Sequence, residues 1–308
     1  MFDLDTFLTT LYVTIDDFCK QHTQPRRRPG PVPSLSVSEV LTLVVFGQWA
    51  RFGSERGFYR FAVARLRPFF PSLPAYSQFN RLIRLYLPEL VAFFRHTAEL
   101  AKCPTDLYQV IDGFGVATRN KSRRGEGWLA LFANKGLCSR LGWYIGFQVM
   151  DCVTSEGAVT GFGFGSASVK DTTLAETMLA LRAFPQPNAQ SVGEYSDLPY
   201  LADKGFAGQE WQWRVQVEYA ACILNAPRVC DPQKWPKWLH RLHASLRQMV
   251  ETVHDKLLGI FRLETERPHT LDGFRTRLTA KYALHNVCLW LNKSVGRGPL
   301  QFADLLAL

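Results

Sequence analysis

Near residue 106 the spacing of apolar residues changes from helical to strand-like, so the chain must fold as a helical part followed by a part built on a sheet. The first 105 residues read as several short helices. One covers residues 4–19, and a linker rich in proline and arginine, 24–33, follows it. Ser36-Val37-Ser38-Glu39 is a capping box, serine capping the helix and glutamate reaching back. The helix it opens carries Val40, Leu41, Val44 and Val45 at helical spacing. A third helix follows Gly57. A fourth starts at Ser77, with Phe79, Leu82, Ile83 and Leu85 on its apolar side and Arg81 and Arg84 outward. Pro88 marks a kink or a new start, and the last helix runs to about residue 102.

From residue 106 the elements alternate differently. Apolar strands are expected at 107–116, 128–134, 142–153 and 158–165, with Thr154-Ser155-Glu156-Gly157 as the turn between the last two. Short turns between consecutive strands make an antiparallel meander. A helix over 171–182 follows, with Leu174, Met178 and Leu181 facing a core. Then come a loop at 187–196, a strand at 198–202, a helix at 208–217 and a strand at 218–225. Pro232 and Pro236 break the chain before a long helix over 238–261 and a last one over 271–292. A meander followed by alternating helices and strands is an α/β layout, an RNase H-like mixed sheet flanked by helices. The expected organisation is therefore an all-α domain over residues 1–105 and an RNase H-like domain over 106–308.

Three acidic residues stand out in that layout. Asp112 and Asp203 each end an apolar strand, Asp203 being followed by Lys204-Gly205-Phe206, and Glu251 lies in the long helix. Side chains at strand ends point into the crevice at the sheet edge, and a helix packed over the sheet can lower Glu251 into it. Clustered carboxylates repel one another unless cations neutralise them, and oxygen-only donors select Mg²⁺ or Mn²⁺ over zinc. Two such ions about 4 Å apart are what an in-line phosphoryl displacement needs. Singly, each acid has a plainer reading. An aspartate after a strand is often a turn residue or a cap, and Glu251, with Arg247 and Asp255 four residues to either side, suits a solvated helix face. The weight lies in all three occurring in this element order.

The rest of the chain is basic, with 36 Lys and Arg against 27 Asp and Glu and a net charge of +9, which fits a partner carrying phosphates. Arg119, Lys121, Arg123 and Arg124 form a basic loop just after the Asp112 strand, placed to hold a DNA backbone. The short N-terminal helices suit a helix-turn-helix-like module in which Arg81 and Arg84 meet phosphate or a groove. An ordinary helical bundle with a solvated basic face suits them equally. Arg26, Arg27 and Arg28 fit either a minor-groove arm or a linker. Trp211, Trp213, Trp235 and Trp238 could stack on flipped bases, although such residues more often belong to cores. His240 and His243, three apart, lack the cysteine partners of a zinc site and read as solvated.

On these residues the chain resembles the DDE transposases of bacterial insertion sequences, whose catalytic domain is RNase H-like. The resemblance runs over roughly residues 106–292. It is carried by Val110-Ile111-Asp112-Gly113-Phe114, by Ala167-Ser168-Val169-Lys170-Asp171 and by Leu201-Ala202-Asp203-Lys204-Gly205-Phe206. Arg247 four residues before Glu251 and the stretch 270–281 followed by Asn286 add to it, and the three acids are 91 and 48 residues apart. The resemblance implies metal-dependent DNA cleavage and strand transfer of an insertion element. Asp112, Asp203 and Glu251 would be the catalytic residues and would hold two Mg²⁺ (or Mn²⁺) ions. Arg247 would contact a DNA phosphate or orient the glutamate. The partner would be double-stranded DNA, both element ends and target, with a homo-oligomer assembled on it. Asp171 reads as the N-cap of its helix in preference to a supporting acid. The chain departs from many relatives in having Gly113 where they have Ser or Thr, and from some branches in having Ala244 and Leu258 where those carry Tyr and Lys.

Two other functions fit the same residues: a catalytically silent, transposase-derived DNA-binding protein, and a metal-dependent host nuclease. Seven cysteines without a Cys-x-x-Cys pair point to a reducing compartment and no structural zinc. The N-terminal residues lack a signal-peptide pattern, and no apolar run is long enough to span a membrane. The expected location is therefore cytoplasmic and nucleoid-associated, with no membrane partner.

Overall fold

The structure, a computed structural model, describes residues 2–23, 32–49, 52–103, 106–119, 127–182, 199–228, 230–232, 234–265 and 267–306. Arg26 to Arg28, Lys121, Arg123, Arg124 and the expected loop at 187–196 lie outside the described residues. The chain divides into two compact units: Met1–Leu100 with Leu257–Leu308, and Ala101–Lys256. Residues from Leu257 onward group with the N-terminal helices.

The first unit is helical. It holds α1 (Leu4–His22), α2 (Val37–Phe46), α3 (Glu55–Phe61), α4 (Tyr76–Leu85), α5 (Leu87–Ala101) and α9 (Leu271–Ser294). Asp3 caps α1 by accepting from the Thr6 amide at 2.7 Å. The expected capping box forms at α2: the Glu39 amide donates to Ser36 Oγ at 3.2 Å, and the Ser36 amide donates to Glu39 Oε2 at 2.7 Å. Such reciprocal caps satisfy amides the helix itself cannot, at about 1 kcal/mol each. Helix α9 is buried over most of its length, including Lys281, whose Nζ donates to the Phe261 carbonyl at 2.7 Å. Helix α9 packs on α2 and α4 and buries polar residues as well, among them Arg277, His285 and Asn286.

The second unit is built on one six-stranded sheet. Its strands are β1 (Gln109–Ala117), β2 (Asn134–Cys138), β3 (Gly142–Thr154), β4 (Val159–Ser166), β5 (Tyr200–Ala202) and β6 (Ile223–Asn225). The order is β2-β3-β1-β5-β6, and β4 pairs with β3 beyond the stretch that β2 occupies. The meander β1 to β4 is antiparallel, whereas β1–β5 and β5–β6 are parallel. The sheet is thus mixed, and helices α6 (Asp171–Leu181), α7 (Gln209–Tyr219) and α8 (Lys237–Asp255) complete the unit. This is the expected RNase H-like α/β architecture.

Side-chain alternation sorts the two faces of the sheet. Ile111, Met150 and Cys152 pack with Leu174, Met178 and Tyr200 on the α6 side. A glycine in β4 lets α6 and the residue after it approach: a Cβ at Gly161 would lie 2.9 Å from Arg182 Cβ and 3.2 Å from Met178 Sδ. Asp112, Phe114 and Asp151 point to the opposite face, where α8 packs on β1 and β3.

Three expected elements differ. Residues 128–133 are turns, not strand, with Leu129 at φ 52° and accepting from the amides of Phe132 and Ala133, so the second strand starts at Asn134. Helix α7 continues to Tyr219 and ends on Ala220 at φ 47°, which cuts the expected strand at 218–225 down to Ile223–Asn225. The long helix ends as an α-helix at Asp255 and finishes in a π-helical turn, Lys256–Ile260.

Candidate active site

Asp112 and Asp203 meet because of register. Val110 pairs with Leu201 across the parallel β1–β5 ladder, so Asp203, just past the end of β5, arrives level with Asp112, which lies within β1 and not at its end as expected. Asp112 is half-buried. Its Oδ1 accepts from the Gly113 amide at 2.9 Å and its Oδ2 from Arg247 Nη2 at 2.9 Å. Asp203 is exposed and its Oδ1 accepts from the Lys204 amide at 2.7 Å, capping the 3₁₀ turn Lys204–Phe206. Arg247 Nη1 stands 3.6 Å from the same oxygen. One guanidinium therefore bridges the two aspartates, and its Nε is buried with no hydrogen-bond partner.

Burial pushes the Asp112 carboxyl above the usual carboxylate range, and the charges of Arg247 and His254 only partly oppose that. Asp171 is also raised, first by burial and then by the negative charges of Asp112 and Asp203. The charges of Asp112 and Asp203 therefore reach it. The cap of α6 is Lys170, without a side-chain hydrogen bond, and Asp171 is the first helical residue. The expected N-cap role is corrected accordingly: Asp171 belongs to the electrostatics of the crevice.

Glu251 lies one turn beyond Arg247 on α8 and is exposed. The structure does not gather it into a three-carboxylate group. Among the described residues no set of three or more His, Cys, Asp or Glu is close enough to hold a metal ion. Its charge is felt by His254, one turn further along. His254 is buried, its Nε2 lies 2.9 Å from Oδ1 of the fully buried Asp151, and its ring centroid is 4.3 Å from that of Phe114. Burial alone would lower the His254 pKa, but Asp151, with Asp112 and Glu251 behind it, holds it above the ordinary value. Asp151 is the antiparallel partner of Asp112. This pair ties α8 to the strand beside the crevice, and the sequence reading missed it. The signal available was one acid in an apolar strand and one histidine three residues after Glu251.

The remaining expected site residues separate. Arg81 is exposed on α4. Arg84 is not outward: its Nη2 donates to Glu55 at 2.9 Å, and Arg277 joins the same carboxylate at 3.3 Å, burying an ion triad. Burial works against the Glu55 charge, but Arg277 and Arg84 outweigh it and lower the pKa. The expected groove contact of Arg84 would have to break that triad. Arg119 lies two residues past the end of β1 and lines a groove with Lys135 and Trp143. His243 is buried and meets the Leu224 carbonyl at 3.3 Å, and both His243 and His240 pack on Trp235, so these histidines are packed where a solvated pair was expected. Trp211 is spent on packing and a hydrogen bond to Glu176 at 2.7 Å, while Trp213 and Trp238 are exposed.

Gly113 has a local cause. A Cβ there would sit 2.8 Å from Gln148 Nε2 and 3.1 Å from Met150 Cε, and Gln148 is itself held by the Tyr144 hydroxyl at 2.9 Å. The space that a hydroxyl side chain would take is filled from β3.

A mixed sheet of this order, with aspartates level on neighbouring parallel strands and an Arg–Glu helix across them, defines an RNase H-like domain of the DDE class. Residues 109–287 match the family of transposase DDE domains, and the chain belongs to that family. The matched stretch runs from β1 into α9. Comparison with curated proteins and with solved structures gave no match. Among the described residues no helix is long and apolar enough to cross a membrane.

Proposed function

We propose that this chain is an insertion-element transposase that cleaves DNA and transfers the freed strand, with Asp112, Asp203 and Glu251 as its catalytic acids. The observation that carries this reading is the convergence of Asp112 and Asp203 on one cation, Arg247, in a crevice that raises the Asp112 carboxyl. Two acids that already require a positive charge between them, with oxygen donors only, fit a hard divalent ion. In this reading Asp112 and Asp203 would hold Mg²⁺ or Mn²⁺, and Glu251 would join them as a ligand of a two-ion site. When bound, the ions would activate the attacking oxygen and stabilise the leaving oxygen.

The chain's own groups then have definite tasks. The amides of Gly113 and Lys204 fix the aspartate carboxylates. Arg247 holds the two acids together and offers a guanidinium to a DNA phosphate, a pairing suited to its fork of donors. The Asp151–His254 pair keeps α8, and with it Glu251, over the sheet. DNA binding is assigned to the helical part, residues 1–105, with Arg81, and to the basic loop with Arg119, Lys121, Arg123 and Arg124. Double-stranded DNA and a second copy of the chain are the expected partners, in a nucleoid-associated setting.

The Arg247 bridge favours one second reading. A guanidinium seated between the acids also suits a DNA-binding descendant that no longer cleaves. An Mg²⁺-dependent strand-cleavage assay on element-end DNA separates the two. Cleavage lost in Asp112→Ala and Asp203→Ala supports the enzyme. Binding with no cleavage by the intact chain supports the silent binder, and cleavage that survives Asp203→Ala removes the proposed mechanism.

A further inference from the structure

The β2–β3 hairpin presents a surface that the catalytic reading leaves unused. Leu137 and Trp143 are directly paired across the hairpin and are 63% and 55% exposed. Such a pair of large apolar side chains in water has a cost unless something covers it. Lys135, two residues before Leu137 and on the same face, sets its Nζ 4.5 Å from the Trp143 ring centroid, a cation–π contact that holds the ring in place. Beside them opens a groove of about 490 Å³ lined by Arg119, Lys135, Trp143, Tyr144 and Ile145, a volume in the range of small-ligand clefts. The sequence from residue 127 to 150 contains no Asp or Glu and carries Lys135 and Arg140. The hairpin is thus aromatic and basic, with no acid in its own sequence.

Its place in the sheet adds a second argument. Trp143 and Asp151 are an even number of steps apart on β3, and Asp151 is level with Asp112. All three side chains therefore lie on one face of the sheet. The eight residue steps from Trp143 to Asp151 span about 26 Å at ~3.3 Å per residue. That is about eight nucleotide steps at ~3.4 Å per step along a strand.

We propose that the hairpin face is a DNA subsite in which Trp143 stacks on an unpaired base about eight nucleotides from the phosphate at Asp112, while Lys135 and Arg119 take flanking phosphates. Aromatic platforms set in a basic groove bind unpaired strands in this way, independent of sequence. This inference rests on the reading of the chain as a DNA-acting protein and adds where, and in what form, the DNA is gripped.

The test uses the full chain, with fluorescence anisotropy on two kinds of labelled element-end duplex. One is fully paired, and in the others a single unpaired base is moved from two to twelve nucleotides from the cleavage position. Stacking contributes ~1–3 kcal/mol per base, so Trp143→Ala is expected to weaken the probes unpaired near position eight by about 5- to 150-fold at ~1.4 kcal/mol per tenfold. It is expected to leave the fully paired probe within about twofold. Trp143→Tyr should recover most of the loss, and Lys135→Ala should lower the salt slope by about one. Trp143 is exposed, so an unchanged melting temperature serves as the folding control. Equal losses on paired and unpaired probes, or no dependence on the unpaired position, would overturn the subsite while leaving the transposase reading intact. So would a Trp143→Ala variant that dissociates a dimer without changing DNA affinity. If the unmodified chain binds none of these probes, both the subsite and the reading beneath it fail.

Discussion

The buried Asp151–His254 pair offers the sharpest physical test of how the crevice is built. Replacing Asp151 by Asn keeps the shape and a hydrogen-bonding group but removes the charge facing His254. The contact lies at 2.9 Å, with Asp151 fully buried and the His254 side chain 10% exposed, so water screens little of it. A hydrogen bond to a charged group contributes ~1.5–3 kcal/mol, and the loss is limited because His254 can give up its proton. The sign with pH follows from the raised folded-state pKa. Stability from the pair is fully present below the unfolded histidine value, ~6.5, and is lost as pH rises through the folded value. In Asp151→Asn the largest upward influence is gone and burial pulls the imidazole down, so the same group flattens or reverses its contribution. The readout is the difference in melting temperature between the native chain and Asp151→Asn from pH 5.5 to 8.5. At ~2–4 °C per kcal/mol for a unit of this size, the difference should be about 3–12 °C near pH 6 and should shrink as pH rises. A difference that is constant over this range would show that His254 stays neutral beside Asp151, and the electrostatic account of how α8 is anchored would be wrong.

Three further outcomes follow from the same geometry. In Arg247→Gln, Asp112 loses the strongest influence opposing its burial, so its carboxyl should titrate at a higher pH than in the native chain. Carbon-13 NMR of labelled aspartate reads this directly, and an unmoved titration would contradict the bridge. Glu55→Gln strands Arg84 and Arg277 without their shared counter-charge, which costs ~3–5 kcal/mol in a buried site. Because the Glu55 pKa is lowered, its contribution is present above the ordinary carboxylate range and fades as pH falls through the folded value, so urea unfolding should show a larger loss at pH 7 than at pH 4. Equal losses would refute the charge argument. Gly113→Ala should cost ~1–3 kcal/mol by overpacking. Because the nearest atom is the end of the Gln148 side chain, Gln148→Ala should relieve at least ~0.5 kcal/mol of it in a double-mutant cycle.

Much of the fold was legible because local signals carry it. The capping box at Ser36 and Glu39 forms as written, and the period change near residue 106 marks the start of the sheet. The misreadings occur where local pattern and tertiary context disagree. Trp128 to Ala133 look like a strand by composition, but Leu129 takes a left-handed conformation and closes turns there. Helix α9 reads as an appendage of the sheet domain because it follows α8 in sequence. Its burial on nearly every side is a property of its neighbours α2 and α4, which no window of sequence contains. Arg84 reads as outward from helical spacing alone, since its partner Glu55 lies 29 residues away on another helix.

The candidate site follows the same division. That Asp203 follows directly on a strand is visible in sequence, whereas Asp112, expected at a strand end, lies within β1, which continues to Ala117. That they are level depends on Val110 pairing with Leu201, and only a parallel register with no slip produces it. Arg247 and Glu251 are recognisably one turn apart, yet spacing cannot say which of them turns toward the aspartates. In this structure the cation does, and the reason is electrostatic. Two carboxylates brought side by side, one of them half-buried, stabilise any positive charge within reach, and Arg247 is the residue on α8 that contacts both. The arginine therefore reports the field that the two aspartates create. A crevice that draws a guanidinium between its acids has the charge distribution that divalent ions require, and the competition between the two for Asp112 and Asp203 is the property of this site most open to experiment.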